Sequence, residues 1–167
     1  MNEKIKLIRV DNRLVHGQVG MTWTSFININ RIVVVNDETM QNGMAKKLMS
    51  SIAKAANVHI DFTSLKGFPE LLGEYSEHEK IFVIVKTIHD VRVLLEELDG
   101  KVKVNIGNIH YERGRIQFNK KMYLTLEDIE DLIVLLKQGN DIFYQDVPGT
   151  SIEKIEMYKL LRMKREM

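Results

Sequence analysis

The sequence contains no cysteine. That excludes disulfides, thiolate-bound metal and a cysteine nucleophile, and it suits a reducing compartment. Only two prolines are present, Pro69 and Pro148, and there is no Ser/Gly-rich tract. The chain therefore offers neither an internal linker nor a boundary between domains. No apolar run approaches the ~20 residues of a membrane span. The opening residues, Met-Asn-Glu-Lys-Ile-Lys, lead into a mixed strand and lack the apolar stretch of a signal peptide, so a cytoplasmic protein is expected. An excess of one charge is missing too. The formal net charge is +1, which leaves no broad basic field for nucleic acid.

What remains is a chain of 167 residues, 44% apolar and 28% charged. That suits one soluble domain with a full hydrophobic core. Strand patterns alternate with helix patterns. Strands are expected over 5–10, 31–36, 58–62, 80–86, 103–106 and 142–147, with short extended pieces at 116–118 and 122–124. Helices are expected over 16–28, 44–56 (Leu48, Met49 and Ile52 facing inward, with a possible extra turn at 38–41), 64–75, 87–98 and 125–139. Thr87-Ile-His-Asp90 has the form of a capping box, and Thr150-Ser-Ile-Glu153 is expected to cap a terminal helix. Met40, Met44 and Met49 read as core filler. The pattern is α/β: three layers, a mostly parallel central sheet of about six or seven strands, and helices on both faces.

In such sheets ligands sit beyond the carboxyl ends of the strands, where the strand order switches. The strand ends bring one rim together from the sequence: Asp11, Arg13, His16, Asp37, Lys86, His89, Asn108 and His110. The densest chemistry lies in Asp11-Asn-Arg-Leu-Val-His-Gly-Gln-Val19, which reads as strand, tight loop, helix. At a helix start His16 meets free backbone N–H groups and the positive end of the helix dipole, which favour anions and disfavour imidazolium. Arg13 acts the same way. A neutral imidazole can attack phosphorus, and the N–H groups and guanidinium can then stabilise the transferred charge. Asp11 could orient the imidazole or hold Arg13. Trp23 is expected to pack beneath the loop. The alternatives are a capping histidine beside a solvated arginine, or a metal hydrolase using Asp11, His16 and His110, which lack a compact ligand pair.

The same residues resemble a known family. Asp11 to Val19 is similar to the active-site loop of the enzyme IIB component of the mannose/fructose/sorbose-type sugar phosphotransferase system. Trp23, Arg31-Ile-Val-Val-Val-Asn-Asp-Glu38, Lys86-Thr87, Asn105-Ile-Gly-Asn-Ile-His110 and Gln145-Asp-Val-Pro148 continue the resemblance across essentially the whole chain. Asn12 stands where many members have Asp, and Asn108 where Gly is frequent.

The resemblance implies a transferase that accepts a phosphoryl group from enzyme IIA onto His16, at Nδ1, and passes it to a sugar imported by membrane subunits IIC and IID. It implies that Arg13 is needed for delivery to sugar. It further implies phosphoryl contacts from Arg13, Leu14, Val15, Gly17 and Gln18, a supporting rim of Trp23, Asp37, Lys86, Asn108 and His110, and no metal or other cofactor. With no IIA segment ahead of the first strand, IIA is expected as a separate chain. The location is expected to be the inner face of the membrane, through IIC and IID. A protein that keeps the fold but reports its phosphorylation state to a regulator is the rival reading.

Overall fold

A computed structural model of the chain describes residues 3–107 and 109–167, apart from the side chains of Gln18 and Val19. Its elements follow in the order β1 (Ile5–Val10), α1 (Gly17–Phe26), β2 (Arg31–Val35), α2 (Asp37–Met40), α3 (Gly43–Ala55), β3 (His59–Thr63), α4 (Phe68–Glu74), β4 (Ile81–Val85), α5 (Ile88–Glu96) and β5 (Lys103–Ile106). Then come β6 (Ile116–Gln117), β7 (Tyr123–Leu124), α6 (Leu126–Lys137), β8 (Asp141–Tyr144), β9 (Glu153–Lys154) and α7 (Met157–Glu166). Seven strands form the main sheet in the order β3-β2-β4-β1-β5-β8-β9, parallel except for β9. β6 and β7 make a separate antiparallel pair.

β1 lies between β4 and β5, where successive crossovers diverge to the two sides of the sheet. Its carboxyl end is therefore the switch point at which the parallel sheet opens a crevice. Period-two alternation divides the sheet into two faces. Ile8, Val10, Val33, Val83, Val104 and Ile142 face the core under α4, α5, α6 and α7. Leu7, Ile32, Val34, Phe82 and Ile84 face the core under α1 and α3. The architecture is the expected three-layer α/β fold.

Local chemistry accounts for most of the boundaries. Asn36 ends β2 and caps α2, its side chain accepting from Thr39 N at 2.9 Å, so the extra turn is a short helix. The capping box at Thr87/Asp90 is formed, and a second closes at Thr125/Asp128 to start α6. Three expectations are corrected. The stretch from Thr150 to Glu153 does not cap the last helix: the Thr150 hydroxyl donates to Val147 O at 2.7 Å, and Glu153 and Lys154 pair with β8 instead. That short antiparallel strand covers an edge that would otherwise present unpaired backbone groups. Leu48 and Met44 are exposed, not core. Met49 and Ala53, four residues apart, take the inward face of α3, and Leu48 is turned about 100° away from it.

His89 lies apart from the loop at 11–16 and joins α5 to α6. Its Nδ1 lies 2.8 Å from Asp131 and 3.7 Å from Glu127. The Asp131 hydrogen bond raises the His89 pKa above its ordinary 6.5, against a smaller effect of burial. A raised folded-state pKa means that the stabilisation is full below the unfolded value and is lost as pH rises through the folded one. Between about pH 5.5 and about pH 8, thermal melts of the wild type should lose a small increment that His89→Gln does not lose. Superimposable profiles of the two proteins would remove this clamp.

Candidate phosphoryl-transfer site

The loop that leaves β1 is shaped by one carboxylate. Asp11 is 1% exposed. Its Oδ2 accepts from Arg9 Nη2 at 3.0 Å, and its Oδ1 accepts from the Arg13 backbone N–H at 3.1 Å. The Asp11 carbonyl accepts from Leu14 N at 2.9 Å, closing a turn. Leu14 sits in the left-handed region (φ 56°) with its side chain buried. Such a conformation costs of order 1–3 kcal/mol for a non-glycine residue and persists only where its surroundings hold it. Gly17, the first residue of α1, is also left-handed (φ 44°).

His16 is the N-cap of α1, in extended conformation and without a side-chain capping bond. It stands beside the first-turn N–H groups, which have no intrahelical acceptor. Its Nδ1 lies 2.9 Å from Leu14 O and 4.0 Å from Asp11 Oδ1. A carbonyl only accepts, so the imidazole proton is on Nδ1. Nε2 is buried with no hydrogen-bond partner among the described residues. The Leu14 carbonyl therefore orients the ring, and Asp11 acts on the loop backbone. Arg13 is half-exposed, its Nε 3.7 Å from Asp11 Oδ1. The loop thus brings together Asp11, Arg13 and His16. Leu14 N–H is already engaged, which leaves the N–H groups at Val15, Gly17 and Gln18 as the open donors of the expected set; the Gln18 side chain lies outside the described residues.

Sequence reasoning missed Arg9. It lies in an apolar strand pattern and is 2% exposed. Besides Asp11, its guanidinium donates to Asn105 Oδ1 and to Gln145 O, the latter at 3.2 Å. It lies over the Trp23 ring at 5.2 Å. Burial pushes its pKa down and Asp11 opposes this; an arginine stays charged throughout. β1, β5, β8 and α1 are thus tied to one buried cation. The available signal was the pairing of Arg9 with Asp11 two residues on, which puts both side chains on one face of a strand.

Of the expected rim, Trp23 is buried at 1% exposure beneath this network. Asp37 accepts from Leu65 N at 2.9 Å and so fixes the start of the segment before α4. Lys86 pairs with Glu38 at 2.7 Å. His110 is exposed beside Ile109, which is bridged to Met122. Asn108 lies outside the described residues. Asp37, Lys86 and His110 make none of the loop contacts described above. Asp11, His16 and His110 form no metal-ligand group among the described residues. His89, Glu127 and Asp131 do bring their ligand atoms within 4.8 Å, away from this loop.

Gly107 explains the glycine of the second loop. A Cβ there would stand 2.7 Å from Arg9 Nη2 and 2.8 Å from Val10 O. No side chain fits without displacing the guanidinium or β1. Gly107→Ala should lower stability by about 1–3 kcal/mol in urea unfolding, and should shift the backbone amide resonances of Arg13 and His16. Unchanged resonances would disconnect Gly107 from the loop.

The family model for the sorbose subfamily IIB component of the phosphotransferase system matches residues 5–167. The N-acetylgalactosamine-specific phosphotransferase enzyme IIB component 1 of Escherichia coli (strain K12) is 40% identical over 151 residues, covering 90% of this chain and 96% of the relative. The sorbose-specific EIIB component of Lacticaseibacillus casei is 28% identical, covering 75% and 76% of the two chains. The mannose-specific EIIAB component of Escherichia coli (strain K12) is 28% identical over 94% of this chain and 48% of that protein. The crystal structure of the first of these, the Escherichia coli IIB component 1, superposes with a TM-score of 0.86 over 91% of this chain and 99% of its own. With the buried ion pair, the loop and the sheet order in place, the chain belongs to the sorbose subfamily of IIB components of the sugar phosphotransferase system.

Proposed function

We propose that His16 carries the phosphoryl group, receiving it from a phosphohistidine of enzyme IIA and giving it to a sugar at the membrane subunits IIC and IID, with the protein working on the cytoplasmic side. The observation that carries this reading is the position of His16, at the N-terminus of α1 and the carboxyl end of the central strand, beside the half-exposed Arg13. The relatives are named for N-acetylgalactosamine, sorbose and mannose, and a sugar of that class is the acceptor proposed here. The mannose relative is named EIIAB, which supports IIA as donor. No helix among the described residues is long and apolar enough to cross a membrane, so the sugar's path is assigned to other chains.

In the first step a His16 nitrogen attacks phosphorus in line. The new N–P bond forms as the donor's N–P bond breaks, and the donor imidazole leaves with that electron pair. In the second step a sugar hydroxyl oxygen attacks phosphorus, the O–P bond forms as the N–P bond to His16 breaks, and the departing imidazole, which keeps that electron pair, takes up the hydroxyl proton. Both steps move charge onto the three equatorial oxygens, where Arg13 and the N–H groups at Val15, Gly17 and Gln18 neutralise it. In the resting arrangement Nδ1 is held by Leu14 O and Nε2 is covered. The ring must therefore turn out before either nitrogen attacks, giving up one hydrogen bond worth about 1 kcal/mol. Attack through Nδ1 also requires its proton to move to Nε2.

His16→Ala should abolish acid-labile phosphate uptake from phosphorylated IIA, with circular dichroism unchanged. Arg13→Gln should still take up phosphate and should transfer it to sugar on cognate membranes at least about 10²-fold more slowly, the loss typical of removing one charge-stabilising donor. Labelling at another residue, or normal delivery by Arg13→Gln, would refute the respective assignment.

A further inference from the structure

The two outer layers of the sheet are unequally built. Four helices cover one face, but α1 and α3 cover only the β3-β2-β4-β1 part of the other. Over β5, β8 and β9 that face has no helix among the described residues. The row across it runs Asn105, Phe143, Lys154, and the row below it pairs Lys103 with Asp141. A groove of about 400 Å³ runs along this strip beside α1. Trp23 and Phe143 contribute to its walls, and Phe26 and Ile152 stand on its lips at 63% and 61% exposure. Three strands at about 4.8 Å spacing leave a trough roughly as wide as one helix with its side chains.

The charge around the groove is mostly positive. Lys6, Lys103 and Lys154 line it against a single acid, Asp141. That acid is already paired with Lys154 at 3.1 Å. Lys101 adds a further cation in the adjoining hollow at the strands' amino ends, which shares Lys6, Lys103 and Asp141 and also holds Glu3, whose carbonyl accepts from Lys6 Nζ at 2.6 Å. A concave apolar trough between basic margins fits an amphipathic helix better than a flat lipid surface. We propose that this groove docks a helix of a partner protein, apolar along its inner face and acidic along both margins, which completes the third layer of the sandwich. Asp11, Arg13 and His16 are not among the lining residues. A partner held here leaves the phosphoryl loop open, so the chain can stay tethered while His16 exchanges its cargo.

The test uses the full chain with its single tryptophan, Trp23, as reporter. The probes are a synthetic helical peptide of about four turns, with leucines on one face and glutamates along both margins, and its lysine-for-glutamate counterpart. The glutamate peptide should shift Trp23 emission saturably, and added salt should weaken it. Lys103→Glu combined with Lys154→Glu should weaken binding at least about tenfold with circular dichroism and phosphate uptake at wild-type levels. No saturable shift, equal binding of the two peptides, or full binding by the charge-reversed variant would overturn the proposal. It would also be overturned if anionic vesicles alone produced the shift, or if sedimentation showed a dimer that the double variant abolishes. Those results would give the groove to a lipid surface or to a second copy.

Discussion

One buried ion pair, Arg9 with Asp11, governs the end of this molecule that carries the loop of Asp11, Arg13 and His16. Both side chains are almost wholly buried, and taking two charges out of water costs several kcal/mol per ion unless each finds further partners. Here they do. Arg9 also reaches Asn105, the Gln145 carbonyl and the Trp23 face, and Asp11 also holds the Arg13 amide. Replacing either charge alone would leave the other buried without its hydrogen-bonded ionic partner, at a cost of about 3–5 kcal/mol. An apolar pair could stabilise the sheet as well, but could not receive the Arg13 N–H. The pair therefore joins two tasks: it knits three strands and a helix, and it fixes the loop.

The sheet order determines where that loop stands. β1 is central, flanked on both sides by parallel strands, so its carboxyl end is rigid on every side except outward. The tight turn through left-handed Leu14 and Gly17 reverses the chain into α1 within a few residues. His16 thus takes the N-cap position directly after the turn. A reactive group mounted this way is positioned by the scaffold and needs little ordering when a partner arrives.

The architecture and the gathering of Asp11, Arg13 and His16 in one loop were legible in the sequence because both rest on local signals. A continuous β-branched run marked β2, an apolar run marked β4, a capping box marked α5, and acid, cation and imidazole fell within six positions. What was not legible depends on neighbours far along the chain. Arg9 lies within an apolar strand pattern, and only Asn105 and Gln145, remote in sequence, give it meaning. Leu48 and Met44 carried the right hydrophobicity for a core but the wrong angle on α3. The Thr150 to Glu153 stretch carried the letters of a helix cap, but the open edge of β8 competed for the same backbone and won.

Arg9 and Asp11 also set the formal charge of the loop. They cancel each other, so Arg13 alone gives the empty loop its sign, and that sign is positive. A phosphoryl group brings roughly two negative charges. If His16 takes it up, the loop becomes an anion. The empty loop would attract a phosphorylated donor, and the loaded loop would repel another one. Direction of traffic would then follow from the occupancy of a single histidine, with no moving part beyond the ring itself.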